Sequence, residues 1–587
     1  MISEGLAIFA LVGSALLLRQ TSRNLRSYHP AADDASLPPD LLLSVCVPVR
    51  DEQDNLRPLA ESILASDHPH LELLLYDDQS RDRTPQIIEQ LLAQDPRVRL
   101  VRQRPLPPGW NGKQHACAQM GFSARGRWLL FTDADVRFEP DALRRSVSEA
   151  RRRGVVLLST FPRQVTGSLG ERLVVPMIFF LLFSYLPMRR MRQTRMPSAS
   201  AGCGQFLLVR AEAYRDAGGH TAFPDSMHDG IALPRLLRRR GGATDLFDGQ
   251  DLASVRMYRG FGQTWRGFAK NAYEGLGSFG LLVFLTVFHL LAMVLPWGLV
   301  VGGAAAGRWW VAGPAAAAVA LTLIQRRMLG RRFGQPRWLA WCHPLAVVVM
   351  TLIQWHSWWW RVTGRSAWRG RTRGGGERIT LVDDDDRPVG SAEKLAAHRG
   401  DGRLHRAFSV LLFDATGRVL LQQRASSKYH FAGRWANACC GHPRPDEATA
   451  AAGERRLYEE LGVIVALAEL ASFRYEARDA ATGLVEREID HVLVGRVTGQ
   501  PPIDPNPLEA DAVRWVEPAE LTRRLREEGA AFAPWVADVW RAYLDHAAEA
   551  PALRPGPGRS DAERTLTSTP RSPAVRAGVD PALPGKG

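Results

Sequence analysis

Cysteine is scarce, at six in 587 residues. Cys46, Cys117, Cys203, Cys342, Cys439 and Cys440 are scattered, with no CxxC and no framework spacing. That excludes a disulfide scaffold and fits reduced thiols in a cytosolic context. No fixed-period repeat is present, and no small-residue cleavage site follows the first apolar run. Acidic residues are in deficit, 61 against 75 Lys and Arg, for a formal net charge of +14. The arginines sit beside apolar stretches rather than among exposed aromatics, so nucleic acid is not an expected partner. Positive-inside flanks and diphosphate ligands account for them more simply.

A chain of this length exceeds one core and reads as two domains with additional segments. Residues 2–18 are apolar and are followed by Arg19, Arg23 and Arg26. This predicts an uncleaved membrane anchor over 1–20 with the next domain cytosolic. From 40 to 275, strand-like runs (LLLSVCVPV, LELLLYDD, RWLLFTDAD) alternate with helix-like ones, which predicts a doubly wound α/β domain. Apolar stretches at 279–302, 309–324 and 338–360 predict membrane segments over 279–360. An Arg- and Gly-rich linker (361–378) leads to a second soluble domain (379–547), and a Pro, Gly, Ala and Ser-rich tail (549–587) reads as disordered.

Counting crossings raises a conflict. Arg326, Arg327, Arg331 and Arg332 argue a cytosolic loop, and Arg361, Arg365, Arg369, Arg371 and Arg373 argue a cytosolic linker. Both hold only if one stretch does not cross. The last, with Pro344, two His and six Trp, is the expected interfacial or re-entrant one. A multi-pass protein of the cell membrane, both soluble domains cytosolic, is the resulting expectation. The shorter apolar run 173–187 reads as an interfacial helix, with a buried core helix as the alternative.

The run GHPRPDEATAAAGERRLYEELGV (441–463) places Gly441, Glu447, Arg455, Glu459, Glu460, Gly462 and Val463 at the spacing of the Nudix motif, which it resembles. Carboxylates on such a helix hold Mg²⁺, which neutralises a diphosphate. One position departs: where Nudix hydrolases carry a water-activating Glu, Arg456 stands. A cation there grips a diphosphate rather than cutting it. A Nudix pyrophosphohydrolase remains the alternative reading of this domain.

The segments RPVGSAEKLAAHRGDGRLHRAFSVLLF, RASSKYHFAGRWANACCGHP, FRYEA, VEREIDHV and FAPW, in that order, resemble the type I isopentenyl-diphosphate isomerases over about 385–545. The resemblance implies an α+β Nudix fold and a metal site of His398, His405, His442, Glu486 and Glu488 for Mn²⁺, Mg²⁺ or Zn²⁺. It further implies Glu488 as proton donor, Cys440 as the opposing base, Tyr475 assisting the acid and Trp535 facing a carbocation. Lys394, Arg424, Lys428 and Arg456 would grip the diphosphate of isopentenyl diphosphate, and Glu460 would hold a second Mg²⁺. Cys439 is read as a bystander.

PVRDE (48–52), DDQSRDRT (77–84) and the Asp133/Asp135 pair resemble the family 2 inverting glycosyltransferases, which implies a GT-A, Rossmann-like fold. Asp78 would contact the uracil or ribose of a UDP-sugar, and Asp133 and Asp135 would hold Mn²⁺ or Mg²⁺ on its diphosphate. The acceptor base, usually in a Glu-Asp pair, falls on Asp229 of His228-Asp229. The QxxRW motif is altered to QTWRGFAKN from Gln263, where Trp265 and Arg266 are expected to close on the diphosphate. PPGWNGKQHAC (107–117) and WCHPLAVVVM (341–350) are similar to membrane enzymes that glucosylate carotenoid acids, with hopanoid-associated relatives close behind. This implies UDP-glucose as donor and an isoprenoid lipid acceptor. A non-catalytic membrane scaffold is the alternative for this half.

Overall fold

The computed structural model describes residues 1–546 except 33–36, 39, 108, 364–366, 369–370, 373–376, 427, 429–430, 481 and 500–501. The predicted tail and the linker residues Arg365, Arg369 and Arg373 lie outside the described residues.

Leu43–Val49 (LSVCVPV) is buried at every residue, as a strand covered on both faces must be. It lies in a seven-stranded sheet ordered Val98–Leu100, Leu71–Asp77, Leu43–Val49, Trp128–Phe131, Leu207–Arg210, Leu157–Ser159, Thr244–Leu246. The first four strands are mutually parallel, and Leu207–Arg210 runs antiparallel to both its neighbours. Asp78 and the Asp133/Asp135 pair therefore follow the carboxyl ends of the two parallel strands that flank Leu43–Val49, where open α/β sheets bind ligands. The helix Gly112–Ser123 starts beside them, and its N-cap Asn111 accepts a hydrogen bond from the Lys113 backbone N–H at 2.9 Å.

The N-terminal apolar run does not stop near residue 20. It is one helix, Ile2–Ser27, lying along the helix Trp309–Arg332. Polar contacts stitch the two together: Ser14 Oγ to Thr322 Oγ1 at 3.3 Å, and Gln325 Nε2 donating to Thr21 Oγ1 at 2.7 Å. Among the described residues, two helices are long and apolar enough to cross a membrane, Ile2–Ser27 and Phe279–Ala305. The second widens to a π turn at Leu290–Val294 just before Pro296, which brings no N–H to the ladder.

The stretch 338–360, expected to be interfacial or re-entrant, forms after a short 3-10 turn one unbroken 20-residue helix, His343–Val362, about 30 Å long at 1.5 Å per residue, which removes the re-entrant alternative and leaves the interfacial one. Its backbone is satisfied within itself, so the proline at its first turn starts the helix instead of interrupting it. The run 173–187 is not an interfacial helix. Pro176 divides it, and Met177–Tyr185 buries Phe179, Phe180 and Phe183, with Phe179 stacked on Phe333 at 3.8 Å.

The second domain is built on a nine-stranded mixed sheet. His405–Phe413 is its axis, parallel to Val485–Arg496 and antiparallel to Cys439–Gly441. The helix Thr449–Leu461 covers one face and ends at Gly462, whose φ of +71° requires the left-handed conformation that glycine adopts freely. Cores of buried residues lie on both faces, one around Phe408 and Leu457, the other around Phe532 and Trp540.

Candidate functional sites

In the second domain the strand register sets opposite His405 the residue Glu488, and Glu486, two residues earlier, points to the same face. His442 follows directly on Cys439–Gly441, and His398 ends the short helix Lys394–Ala397. One ligand atom from each of His398, His405, His442, Glu486 and Glu488 lies within 4.8 Å of all the others, and all these residues are buried. Glu488 Oε1 is 3.0 Å from His442 Nε2 and 3.3 Å from His405 Nε2, while His398 Nε2 is 3.5 Å from Glu486.

The tautomers follow from the acceptors. His398 Nδ1 lies 2.6 Å from the Lys394 carbonyl and His405 Nδ1 lies 2.7 Å from the Arg403 carbonyl. A carbonyl only accepts, so each Nδ1 carries the proton and each Nε2 turns a lone pair inward. Burial lowers His405 to about 4 and holds His442 well below its ordinary value, so both rings stay neutral. Burial and the adjacent Glu486 push Glu488 well above the carboxylate range. Inward lone pairs beside two crowded acids form a donor set that a divalent cation fits.

Across a small cavity of about 70 Å³ sit Cys440, Arg424 and Trp535. Arg424 Nη1 is 3.7 Å from Cys440 Sγ, and its guanidinium carbon is 5.3 Å from the centre of the Trp535 ring. Burial pushes the Cys440 thiol up to about 11, with Arg424 opposing that rise. Trp535 is fixed by its indole N–H, which donates to Asn437 Oδ1 at 3.0 Å. Tyr475 stands opposite Glu488 in the neighbouring antiparallel strand, and its buried hydroxyl has no hydrogen-bond partner.

Lys394, Arg424, Lys428 and Arg456 line the same cavity. Lys394 pairs with Glu377 at 3.0 Å, Lys428 with Glu509, and Arg456 with Glu460, with Glu459 at 2.9 Å and with Glu509 at 3.3 Å. Burial pushes Glu377 up but Lys394 and Arg456 outweigh it, holding the acid at about 2. Glu460 also accepts from Gln422 Nε2 at 3.0 Å. The sequence reading missed Glu377 and Glu509, which lie in no motif. It missed Asp490 too, buried in the same cavity wall, raised to about 7 by burial and bonded to Ser409 at 2.8 Å.

The first domain holds a different kind of space, a cavity of about 940 Å³. Asp133, Asp135, Lys113 and Asp229 line its polar end, with Ile178, Leu181, Leu182, Leu281, Phe284 and Leu285 along its apolar end. Lys113 Nζ bridges two of the predicted acids, 2.7 Å from Asp133 and 3.0 Å from Asp229. Burial disfavours the charged ammonium, but those carboxylates raise it well above its ordinary value. Burial works against the Asp229 carboxylate as well, and Lys113 and His220 still bring it down to about 2. Asp135 goes the other way: burial, Asp133 and Glu52 raise it to about 7. Nothing in the spacing of the acids pointed to Lys113, although its segment, WNGKQHAC, had been singled out.

Asp78 is buried behind Arg50, with Arg50 Nη1 at 3.2 Å, and Arg50 rather than Asp78 lines the cavity. Gln263 and Arg266 reach the cavity. Trp265 does not close on it: its indole N–H donates to His356 Nδ1 at 2.7 Å, because packing against His343–Val362 sets the rotation of the helix Phe261–Ala269.

Residues 44–218 match the family model for glycosyl transferase family 2, and residues 403–536 match that for the NUDIX domain. An isopentenyl-diphosphate Delta-isomerase of Nocardia farcinica is 54% identical over 161 residues, which are 27% of this chain and 91% of that protein. One from Streptomyces coelicolor is 49% identical over 183 residues, 31% of this chain and 88% of that protein. A mannosyltransferase of Pyrobaculum calidifontis, solved with GDP-Man and Mn²⁺, aligns with 60% of this chain and 99% of its own at 18% identity and a TM-score of 0.38.

Proposed function

The chain belongs, through its C-terminal domain, to the isopentenyl-diphosphate Delta-isomerase family, and we propose that this domain converts isopentenyl diphosphate to dimethylallyl diphosphate. The observation that carries the reading is the buried His398, His405, His442, Glu486 and Glu488 cluster, set across one small cavity from Cys440 and beside a cage of basic side chains. Glu488, whose carboxyl burial and the adjacent Glu486 push up, gives its proton to the terminal methylene carbon of the substrate, making it a methyl group. The tertiary cation left next to it faces the π cloud of Trp535. Cys440, its thiolate favoured by Arg424, takes a proton from the carbon on the diphosphate side, and the double bond forms there. Tyr475 lies beside the acid. His398, His405, His442, Glu486 and Glu488 would hold a divalent cation, which would supply positive charge to the two acids, and Glu460 would hold Mg²⁺ that offsets the charge of a diphosphate gripped by Lys394, Arg424, Lys428 and Arg456.

For the first domain we infer sugar transfer from a UDP-sugar, with UDP-glucose as the candidate donor, to an isoprenoid lipid of the carotenoid or hopanoid kind. Asp133 and Asp135 would hold Mn²⁺ or Mg²⁺ on the donor, Asp78 would act on its uridine through Arg50, and Asp229 is the acceptor base. What supports a lipid acceptor is the cavity itself, which runs from these acids to Leu281 and Phe284 on a helix apolar enough to span a membrane. We infer that both domains lie at the cytosolic face, because isopentenyl diphosphate and nucleotide sugars are cytosolic anions.

Product analysis tests the first reading. Incubation with isopentenyl diphosphate gives dimethylallyl diphosphate, and Cys440→Ala abolishes it. Retained isomerisation in that variant sinks the site assignment, and release of phosphate or pyrophosphate instead supports a hydrolase. Membranes given labelled UDP-glucose and candidate lipids test the second reading, and no transfer to any of them favours the scaffold.

A further inference from the structure

The two domains touch through a small set of polar groups, some of them buried. Asp504 Oδ2, on the loop before the strand Ala510–Val516, receives Arg102 Nη1 at 2.7 Å and Arg104 Nη2 at 2.8 Å, and Arg104 also donates to the Asp504 carbonyl at 2.7 Å. Gln119, on the helix Gly112–Ser123, donates from Nε2 to Asn506 Oδ1 at 3.1 Å. Arg104, Gln119 and Asn506 are all buried. A buried guanidinium with its partner removed is costly, so these groups hold one another in place. Arg102 lies 5.5 Å from the centre of the Tyr458 ring, and its guanidinium packs so closely on Gly462 that a Cβ there would come within 2.5 Å of it. A cation at that end of Thr449–Leu461 is favourable for the helix dipole.

The loop so gripped is also the one that presents Glu509. The Asn506 carbonyl accepts the backbone N–H of Glu509 at 2.8 Å and of Ala510 at 2.9 Å, and the Asn506 N–H donates to the Glu460 carbonyl at 2.6 Å. Glu509 in turn pairs with Lys428 and Arg456. Hydrogen bonds, joined by short stretches of the loop's own backbone, thus link Arg104 and Gln119, through Asp504 and Asn506, to two cations of the diphosphate cage.

We propose that Arg104 and Gln119 of the first domain are positioning residues for the isomerase: they fix the 504–509 loop, and with it Glu509, so that Lys428 and Arg456 are held apart and aimed at the diphosphate. The first domain is then part of the isomerase's phosphate site and not only its tether. This rests on the isomerase reading for its substrate, while the cage itself can be probed without turnover. The diphosphate is the part of the substrate these cations hold in both ground and transition state, so the effect falls on KM.

The test uses the full chain with Arg104→Lys combined with Gln119→Ala, and separately Asp504→Asn. Each raises KM for isopentenyl diphosphate about tenfold with kcat within about twofold, and weakens calorimetric binding of inorganic pyrophosphate by a similar factor. Joining Asp504→Asn to the first variant adds little, because both break the same series. Arg97→Ala, which removes a charge elsewhere in the first domain, leaves both values unchanged. KM and pyrophosphate affinity within twofold of the parent overturn the proposal, as does a fall in kcat at constant KM. Asp504, on an exposed part of the loop, decides the matter if the double variant does not fold. A parent chain that forms no dimethylallyl diphosphate yet loses pyrophosphate affinity in the variants defeats the isomerase reading and leaves the loop proposal standing.

Discussion

The two sites solve opposite problems. The C-terminal one encloses about 70 Å³ and is walled by charges, with Lys394, Lys428 and Arg456 each set against an acid. The N-terminal one opens about 940 Å³, polar at one end and apolar at the other. A small reactant with a highly charged head suits the first, since low local dielectric strengthens each ion contact. A long apolar acceptor meeting a charged donor suits the second, where the cavity must supply two solvents at once. The difference teaches that, on the proposed readings, size separates the chemistries: a tight cavity suits proton transfer, and a wide one suits group transfer.

The largest effect is expected from breaking the tight site. His442→Ala removes a donor whose Nε2 lies 3.0 Å from Glu488 and leaves two crowded acids with less to hold a cation. We expect kcat/KM for isomerisation to fall about a thousandfold or more, with sugar transfer unchanged. Measuring both activities on one preparation is the check. Isomerisation surviving in His442→Ala would mean the cluster is structural, and the contrast between the sites would lose its first term.

Lys113→Ala should produce the next largest effect, in the other site. It strips the cation that lies within 3.0 Å of both Asp133 and Asp229, leaving the buried Asp229 carboxylate without its counter-charge. Transfer from labelled UDP-glucose should drop about a hundredfold, while isomerisation is retained. Loss of both activities together would show that the two halves stand or fall as a single unit, so the contrast would have to be abandoned.

The tight site was readable because its candidate ligands lie in short runs, HRGDGRLH, CCGHP and EREID, and strand alternation in the last turns Glu486 and Glu488 to one face. Its counter-acids were not: Glu377 and Glu509 come from segments with no pattern, and only the closed sheet brings them to Lys394, Lys428 and Arg456. In the first domain the Asp133/Asp135 pair announced the polar end of the cavity. Lys113 did not, since a lysine two residues into a helix looks like surface charge until the chain returns with Asp229. The direction of Trp265 depends on His356, some 90 positions later, which local spacing cannot carry. Met177–Tyr185 is apolar on all sides, so its sequence fits a membrane surface or a core equally well; the aromatic contact with Phe333 decides for the core.

The smallest expected effect concerns how the roomy site is braced. Glu171, the third residue of a capping box with Ser168, is buried and accepts the backbone N–H of Gly167 and of Gly260, each at 2.7 Å. Gly260 opens the helix Phe261–Ala269, which carries Gln263 and Arg266 into the cavity wall. Burial pushes the Glu171 carboxyl up, but these N–H groups, Ser168 and Arg256 prevail and bring it from 4.5 to about 2. A folded-state value below the unfolded one means that the carboxylate stabilises the fold above pH 4.5 and loses that contribution as the pH falls through about 2. Glu171→Gln should therefore cost about 2 kcal/mol at neutral pH, and the gap between variant and parent should shrink steadily below pH 4.5. Thermal unfolding at pH 7 and pH 3, with sugar transfer and isomerisation assayed in parallel, reads the outcome. A gap that stays constant with pH would mean the carboxylate's charge plays no part. A loss confined to sugar transfer would sharpen the contrast, because the wide cavity depends on a brace that the tight one, walled by its own ion pairs, does not share.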